Sequence, residues 1–175
     1  MLTSFVMTIL GADRAGLVES VAAVVAEHDG NWIESRMAHL AGQFAGIVRV
    51  EVPATKASAL RDALGLLQDV SVNIEQDAGS GQIPKQVIAL ELVGPDRPGI
   101  IRELTRALRA NQINVEELET ECASAPMSGE RLFRAQAKLG IQEATTLENL
   151  RSELETIAND LTLEIDLIER SPIAG

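Results

Sequence analysis

The 175-residue sequence predicts an α+β fold of two tandem domains, each a four-stranded antiparallel sheet with two helices on one face. The first observation is an internal repeat, because Gly11-Ala-Asp-Arg-Ala-Gly-Leu-Val recurs 83 positions later as Gly94-Pro-Asp-Arg-Pro-Gly-Ile-Ile. The second is a hydrophobic periodicity that changes between strand and helix spacing in the same order in both halves. The third is a segment rich in glycine and turn formers at 76–84, which predicts domains over 1–80 and 84–175.

The first strand and the first helix follow from a change of period. Alternating apolar residues predict a strand around 5–9, and apolar residues at helical spacing predict a helix over about 14–28. Asp13 is placed as the N-cap and Gly30 as the glycine after the helix end. The second half is predicted to repeat this helix near 97–110.

The remaining elements complete a β-α-β-β-α-β order in each half. The pattern predicts two strands, over 32–40 and 46–52, which are joined by a turn at 41–43. A helix over 57–67 and a last strand over 70–75 follow. The second half repeats the second helix near 144–159, and the offset of the repeat grows to 87 in the third strand and 91 in the last strand. This order is that of a ferredoxin-like fold, in which right-handed crossovers place both helices on one face.

The composition excludes several classes of function. The net charge is −11, divided as −5 and −6 between the halves, so neither half offers the basic face that holds nucleic acid. Aromatic residues make up 2 %, too few for a base-stacking platform. The single Cys122 excludes an intrachain disulfide, and no signal peptide or bilayer-spanning run is recognisable. We therefore expect a cytoplasmic protein without direct contact to nucleic acid or membrane.

No catalytic or cofactor site is predicted. His28 and His39 are far apart in the pattern, and neither a nucleophile–histidine pair nor a metal-ligand spacing is present. The Gly-x-Asp-Arg-x-Gly motif lacks the Lys-Ser/Thr pair of a phosphate-binding loop. We expect a protein that is not an enzyme, with no catalytic residue, no metal and no cofactor.

The loop between the first strand and the first helix carries the candidate binding site. Gly11 permits a tight turn, and Gly16 removes a Cβ from the first helical turn, where free N–H groups can hold a carboxylate. Asp13 is an acceptor for an ammonium group, and Leu17 follows it in the helix. Asn31, which opens the next strand, offers a donor and an acceptor, and we expect it at the same end of the fold. A carboxylate receptor beside an ammonium receptor is a site for a free amino acid.

The second half repeats this set as Gly94, Asp96, Gly99, Ile100 and Asn114. The repeat favours a ligand site in at least one half. A purely structural explanation stays open, because aspartate before a helix is a common N-cap and asparagine before a strand is a common turn residue.

These residues resemble a known regulatory module. Gly94-Pro-Asp-Arg-Pro-Gly-Ile-Ile, followed by Asn114-Val115, resembles an ACT domain, which binds amino acids beside metabolic enzymes. The first half, with Asn31 and 34–36 after its loop, more closely resembles the tandem-ACT glycine cleavage system transcriptional repressor family. Ala15 departs from this pattern, since the family usually has a proline there.

The resemblance implies where a ligand lies and what it is. Ligands of the family lie between the first loop and the second strand, at an interface between modules, which maps onto Asp13 with Asn31 and onto Asp96 with Asn114. Glycine is the ligand that the resemblance implies, and a transcriptional regulator of glycine cleavage is the implied partner protein. We expect a non-catalytic sensor that binds a small amino acid and controls a partner protein.

Two other functions remain open from the sequence. One is a ligand-free interaction module that pairs through sheet edges, and the other is a detached regulatory subunit of an amino-acid metabolic enzyme. We expect a homodimer that uses the edge of the first half, because its second strand carries fewer charges than the counterpart with glutamates at 116, 117, 119 and 121. The loop 123–130 has no counterpart in the first half.

Overall fold

The computed structural model describes residues 1–79, 84–124, 129–142 and 146–169, and the chain divides into two compact units, Met1–Gly81 and Gln82–Gly175. The elements of the first unit are β1 (Leu2–Ala12), α1 (Leu17–Glu27), β2 (Asn31–Leu40), β3 (Gln43–Pro53), a short 3-10 turn (Ala54–Lys56), α2 (Ala57–Gly65) and β4 (Val70–Gln76). The elements of the second unit are β5 (Gln86–Pro95), α3 (Ile100–Ala110), β6 (Asn114–Ser124), β7 (Arg131–Ile141), α4 (Thr146–Leu161) and β8 (Glu164–Glu169). The predicted α+β class with two tandem β-α-β-β-α-β domains is confirmed.

Each unit contains one four-stranded antiparallel sheet with the same strand order. The orders are β2-β3-β1-β4 and β6-β7-β5-β8, so that β1 and β5 are central and β2 and β6 lie at an edge. The helices cover one face, since α1 buries Leu17, Val21 and Val25 at a four-residue spacing against the inward side of β1. On the other side of β1, Thr8 and Leu10 are exposed.

A two-residue turn joins β2 to β3. Ala41 and Gly42 both have positive φ, 50° and 79°, which is the backbone of a type I′ hairpin turn. In the second unit, β6 and β7 are separated by residues 125–130, of which 125–128 lie outside the described residues. The predicted loop 123–130 is therefore shorter than expected, because Ala123 and Ser124 still pair with Leu132 and Arg131.

The start of the first helix differs from the prediction. Helix α1 begins at Leu17, and its N-cap is Gly16 in the left-handed region at φ 88°, with no side-chain cap. Asp13 is not the N-cap, because its backbone N–H donates to the Gly42 carbonyl oxygen at 2.9 Å and so continues the strand ladder. The second unit behaves in the same way, with Gly99 at φ 98° before α3.

The end of the first helix also differs from the prediction. The left-handed residue after α1 is Asp29, at φ 53°, and not Gly30. Gly30 serves close packing, because a Cβ there would lie 2.7 Å from Val25 Cγ1 and 2.8 Å from the Val25 carbonyl oxygen.

Candidate ligand-binding loop

Near the end of the central strand of each unit a glycine is required, because the neighbouring atoms leave no room for a Cβ. A Cβ on Gly11 would lie 2.8 Å from the Asp69 carbonyl oxygen and 2.8 Å from Leu17 Cδ1. Gly94 is more tightly enclosed, since its Cβ would lie 2.4 Å from Leu163 Cδ2. Each glycine lets the start of the last strand approach the central strand, and Gly11 also leaves room for Leu17, the first residue of α1. Their role is thus packing, and not the tight turn that the sequence predicts, because both lie in paired strands and neither has a positive φ.

The start of α1 is open to solvent and presents free N–H groups. The first α-helical hydrogen bond runs from the Ser20 N–H to the Gly16 carbonyl oxygen at 2.9 Å, so the N–H groups of Val18 and Glu19 precede the helical ladder. A Cβ on Gly16 would meet nothing within 4 Å. An anion can therefore approach this turn, where the helix dipole is positive.

The two aspartates of the repeat differ in their surroundings. The exposed side chain of Asp13 has no hydrogen bond or ion pair within the part of the chain that the structure describes. The Asp96 side chain is 29 % exposed and forms an ion pair with Arg131, with 3.4 Å between Oδ2 and Nε. Asp13 is therefore available to a ligand ammonium group, whereas Asp96 already has a cationic partner. The sequence missed Arg131 because the partner lies on the distant β7.

The asparagines lie at the opposite end of the sheet from the loop, which corrects the prediction. Asn31 pairs with Glu51, and Glu51 pairs with Ser4 near the start of β1. The loop follows Ala12, eight residues further along β1, or about 27 Å at 3.4 Å per residue. Helix α1 spans the length of the sheet and returns the chain to the start of β1. Within one unit, Asp13 and Asn31 cannot contact the same amino acid.

The second unit has the same separation. Asn114 pairs with Gly140, which pairs with Val87 at the start of β5, whereas Asp96 follows the end of β5. The Asn114 side-chain amide also donates to Glu116 Oε1 at 2.8 Å. The structure thus brings together the glycine, aspartate and helix-start residues of each loop, and it leaves both asparagines apart from them.

The clearest electrostatic perturbation is at the other end of β1. The Ser4 hydroxyl donates to Asp77 Oδ2 at 2.9 Å, and this bond lowers the pKa of Asp77 below its ordinary value. The Gly79 N–H and the nearby Arg49 guanidinium lower this pKa further. These contacts fasten the chain after β4 to the central strand, and they do not form part of the loop.

The described residues contain no group of three or more His, Cys, Asp or Glu that could hold a metal ion. Cys122 is exposed on β6. Among the helices that the structure describes, none is long and apolar enough to cross a membrane.

Comparisons with known proteins agree with this architecture. The family model of the ACT domain matches residues 3–75. A crystal structure of an unknown protein from Galdieria sulphuraria is 29% identical, with a TM-score of 0.84, and the match covers 98% of this chain and 100% of that one. A crystal structure named "putative glycine cleavage system transcriptional repressor" is 18% identical, with a TM-score of 0.70 and coverage of 97% and 99%, and shows the fold alone. No curated protein matches the chain. Residues 3–75, which make up most of the first unit, therefore match the ACT domain family, and the second unit has a sheet with the same strand order.

Proposed function

We propose that the protein is a non-catalytic regulator that binds a small amino acid at the β1–α1 loop of its first unit. ACT domains are ligand-binding regulatory modules, and residues 3–75 match that family. The observation that carries the finer proposal is the exposed Asp13 carboxylate, which has no side-chain partner among the described residues and lies three residues before the open helix start at Gly16. A free amino acid carries both groups that this loop can bind.

The two ends of the ligand have separate receptors. The N–H groups of Val18 and Glu19 donate to the ligand carboxylate, and the Asp13 carboxylate accepts from its ammonium group. Glycine is the ligand suggested by the name of the similar repressor structure and by the resemblance of the loop. Glycine has about five heavy atoms, and a ceiling of ~1.5 kcal/mol per atom limits its binding to about 7.5 kcal/mol. The dissociation constant is then a few micromolar at best.

Regulation passes to a partner protein. The chain carries a net charge of −11, so a transcriptional effect would act through a separate DNA-binding protein. Binding of the amino acid can change this contact only by its differential affinity for the two states of the protein.

Calorimetric titration with each of the twenty amino acids tests the proposal. We expect saturable binding of one small amino acid, lost in Asp13→Asn and retained in the matched variant Asp96→Asn. Asp13→Asn leaves the fold intact, because Asp13 makes no side-chain cap to α1. No saturable binding up to about 10 mM, which corresponds to about 3 kcal/mol, would overturn the proposal. Loss in Asp96→Asn with retention in Asp13→Asn would overturn its assignment to the first unit.

A self-complementary edge strand supports a homodimer as part of this function. β2 is an edge strand, and Ile33 and Leu40 on it are 38% and 79% exposed. In an antiparallel pairing of two copies with Ser35 on the two-fold axis, Glu34 lies opposite Arg36 of the second copy. Opposite charges at such cross-strand positions are stabilising. If the protein pairs in this way but binds no amino acid, it is the ligand-free interaction module.

Charge exchange on β2 tests the dimer. We expect Glu34→Arg to shift the protein to the monomer in sedimentation velocity, since two arginines then lie opposite each other. The double variant Glu34→Arg/Arg36→Glu should restore the dimer, because each new charge again meets its opposite. A wild-type monomer, or a dimer that Glu34→Arg does not weaken, would contradict this edge pairing.

A further inference from the structure

The cations of the two units differ in how they are paired. All five described cations of the first unit have a partner, and the pairs are Arg14–Asp69 at 3.0 Å, Arg36–Glu34 at 3.8 Å, Arg49–Asp77 at 3.8 Å, Lys56–Asp29, and the Arg61 guanidinium 4.6 Å above the Phe5 ring. In the described part of the second unit, Arg97, Arg102 and Arg109 have neither an ion pair nor a side-chain hydrogen bond. Acidic residues outnumber basic ones by 26 to 15, so these unpaired arginines need an explanation.

Two of these arginines, Arg102 and Arg109, lie on the outer side of α3. Together with Arg106 they follow the spacing i, i+4, i+7 and are exposed, and we call these three residues the arginine face. They extend over about 10 Å along the helix axis. They lie opposite the stripe that packs into the core, to which Leu104 and Leu108 belong. Arg106 is paired with Glu103 at 3.0 Å, while the other two guanidinium groups have no anionic partner among the described residues.

The fold does not require an arginine face at this position. At the repeat offset of 83, the corresponding residues of α1 are Glu19, Ala23 and Ala26. Helix α1 has the same 11-residue length as α3 and the same left-handed glycine before it. The arginines are thus a property of the second unit and not of the shared architecture.

Arg97 adds a further unpaired cation just before α3. Its counterpart Arg14 is held by Asp69, with 3.0 Å between Nη2 and Oδ2. The position of Asp69 is taken in the second unit by Thr162, since each places its carbonyl oxygen against the glycine that ends the central strand. Threonine offers no negative charge, so Arg97 has no anionic partner there.

A groove with an apolar floor runs beside the arginine face. The groove lies between α3 and α4 and has a volume of about 840 Å³. Its floor includes Ala107, Ala110, Ile157 and Leu161. Arg102, Arg106 and the Glu103 that pairs with Arg106 line the α3 side, and Glu153 and Asp160 line the α4 side.

We propose that the arginine face docks an acidic helical segment of a partner protein. The carboxylates of that segment pair with Arg102 and Arg109, and its small apolar side chains enter the groove between α3 and α4. In this arrangement the apolar side chains of the segment, and not its carboxylates, lie beside Glu153 and Asp160. A nucleic-acid backbone fits less well, because it has no apolar side chains for the groove and its continuous phosphates would meet these two carboxylates. The proposal names the surface for the partner of the proposed regulator. Its test needs no amino acid, so it can fail or hold independently of ligand binding.

Fluorescence anisotropy on the full chain tests this surface. The probe is a labelled alanine-rich helical peptide with glutamates at i, i+4 and i+7, in about 50 mM salt. We expect Arg102→Glu and Arg109→Glu each to weaken binding about tenfold, which is about 1.4 kcal/mol. Lys85→Glu is the matched control, because Lys85 is also an unpaired, exposed cation but lies just before β5. This variant makes the same change in net charge, and we expect an effect within about twofold.

Four outcomes would overturn the proposal. The first is that the glutamate peptide does not bind. The second is that a peptide with glutamine in place of glutamate binds equally well, and the third is that Lys85→Glu weakens binding as much as Arg102→Glu. The fourth is that a DNA duplex binds more tightly than the peptide and loses this binding in Arg102→Glu, which would assign the face to nucleic acid.

Discussion

The two loop glycines of the second unit should respond differently to substitution, because different features of the structure require them. Gly99 has φ 98°, and a Cβ there would meet nothing within 4 Å. Gly94 lies outside the left-handed region, but its Cβ would lie 2.4 Å from Leu163 Cδ2, 3.0 Å from the Thr162 carbonyl oxygen and 3.1 Å from Leu163 Cα. Gly99 is therefore required for its backbone conformation and Gly94 for space.

These geometries set the expected changes in the free energy of unfolding. Gly99→Ala places an L-residue in the left-handed region and should cost about 1–2 kcal/mol. Gly99→Asn should cost less, because asparagine adopts this region more readily, and the β-branched Gly99→Val should cost most. Gly94→Ala should cost about 1–3 kcal/mol or more, since two of the three close atoms belong to the backbone and cannot rotate away. At this position the larger asparagine should be worse than alanine.

Urea and thermal unfolding followed by circular dichroism measure these differences. A change of about 1 kcal/mol corresponds to roughly 4–8 °C in the melting temperature of a domain of this size. Gly16→Ala is the matched control in the first unit, because Gly16 has φ 88° and equally open surroundings. The single Trp32 lies on β2, so its fluorescence reports the first unit. The reasoning is refuted if asparagine is worse than alanine at Gly99, or better than alanine at Gly94.

Two further variants test the packing and the electrostatics. Asp77→Asn should destabilise the protein at neutral pH, because the lowered pKa of Asp77 means that folding favours its ionised form. This contribution is fully present above the ordinary pKa of 3.8 and is lost as the pH falls through the lowered pKa. The free energies of unfolding of wild type and variant, measured in urea, should therefore converge in acid. A difference that stays constant with pH would contradict this. Leu104→Ala should cost about 2–5 kcal/mol, since Leu104 is 1% exposed in the second core, whereas Val18→Ala at 38% exposure should cost within about 0.5 kcal/mol. Equal shifts of the urea midpoint in these two variants would show that burial is wrongly assigned.

The internal repeat predicted the fold and the position of the loop correctly, but the offsets assigned to the later strands were wrong by two residues. Val50 and Leu139 pair with equivalent positions of the central strands, Phe5 and Ile88, so the true offset there is 89 and not 87. In the last strands Val72 and Ile165 correspond, which makes that offset 93 and not 91. Side chains of a strand alternate with a period of two, so a shift of two residues leaves the apolar pattern unchanged. Only the pairing with the central strand distinguishes the two alignments.

The glycines before the helices show a second limit of sequence patterns. The Gly-x-Asp-Arg-x-Gly repeat identified Gly16 and Gly99 but assigned them to the first helical turn. An aspartate three positions earlier is an attractive N-cap by propensity alone. The structure instead uses the backbone of Asp13 and Asp96 to extend the strand ladder, with N–H donation to Gly42 and Arg131 at 2.9 Å each. Tertiary pairing with the neighbouring hairpin thus overrides the local capping preference.

In the proposed dimer, the position of Asn31 would connect ligand binding with self-association. Within one unit, Asn31 is at the far end of the sheet from the loop, and this follows from a helix that spans the whole strand. In the proposed pairing centred on Ser35, however, the bulge between Trp32 and Glu34 places Asn31 of the second copy opposite Ala38. Ala38 pairs with Ala45, and Ala45 pairs with Leu10 near the loop end of β1. The second copy therefore returns its asparagine to the end of the sheet where Asp13 lies.

A dimer with this register makes the two parts of the proposed function depend on each other. An asparagine supplied by the second copy can complete the loop only while β2 is paired, so the amino acid favours the paired state by its extra contact there. Glu34→Arg, which is remote in sequence from Asp13, should then weaken amino-acid binding together with dimerisation. Glu34→Arg/Arg36→Glu should restore both. Unchanged amino-acid affinity in a Glu34→Arg monomer would show that the loop of the first unit binds its ligand alone and that Asn31 has no part in the site.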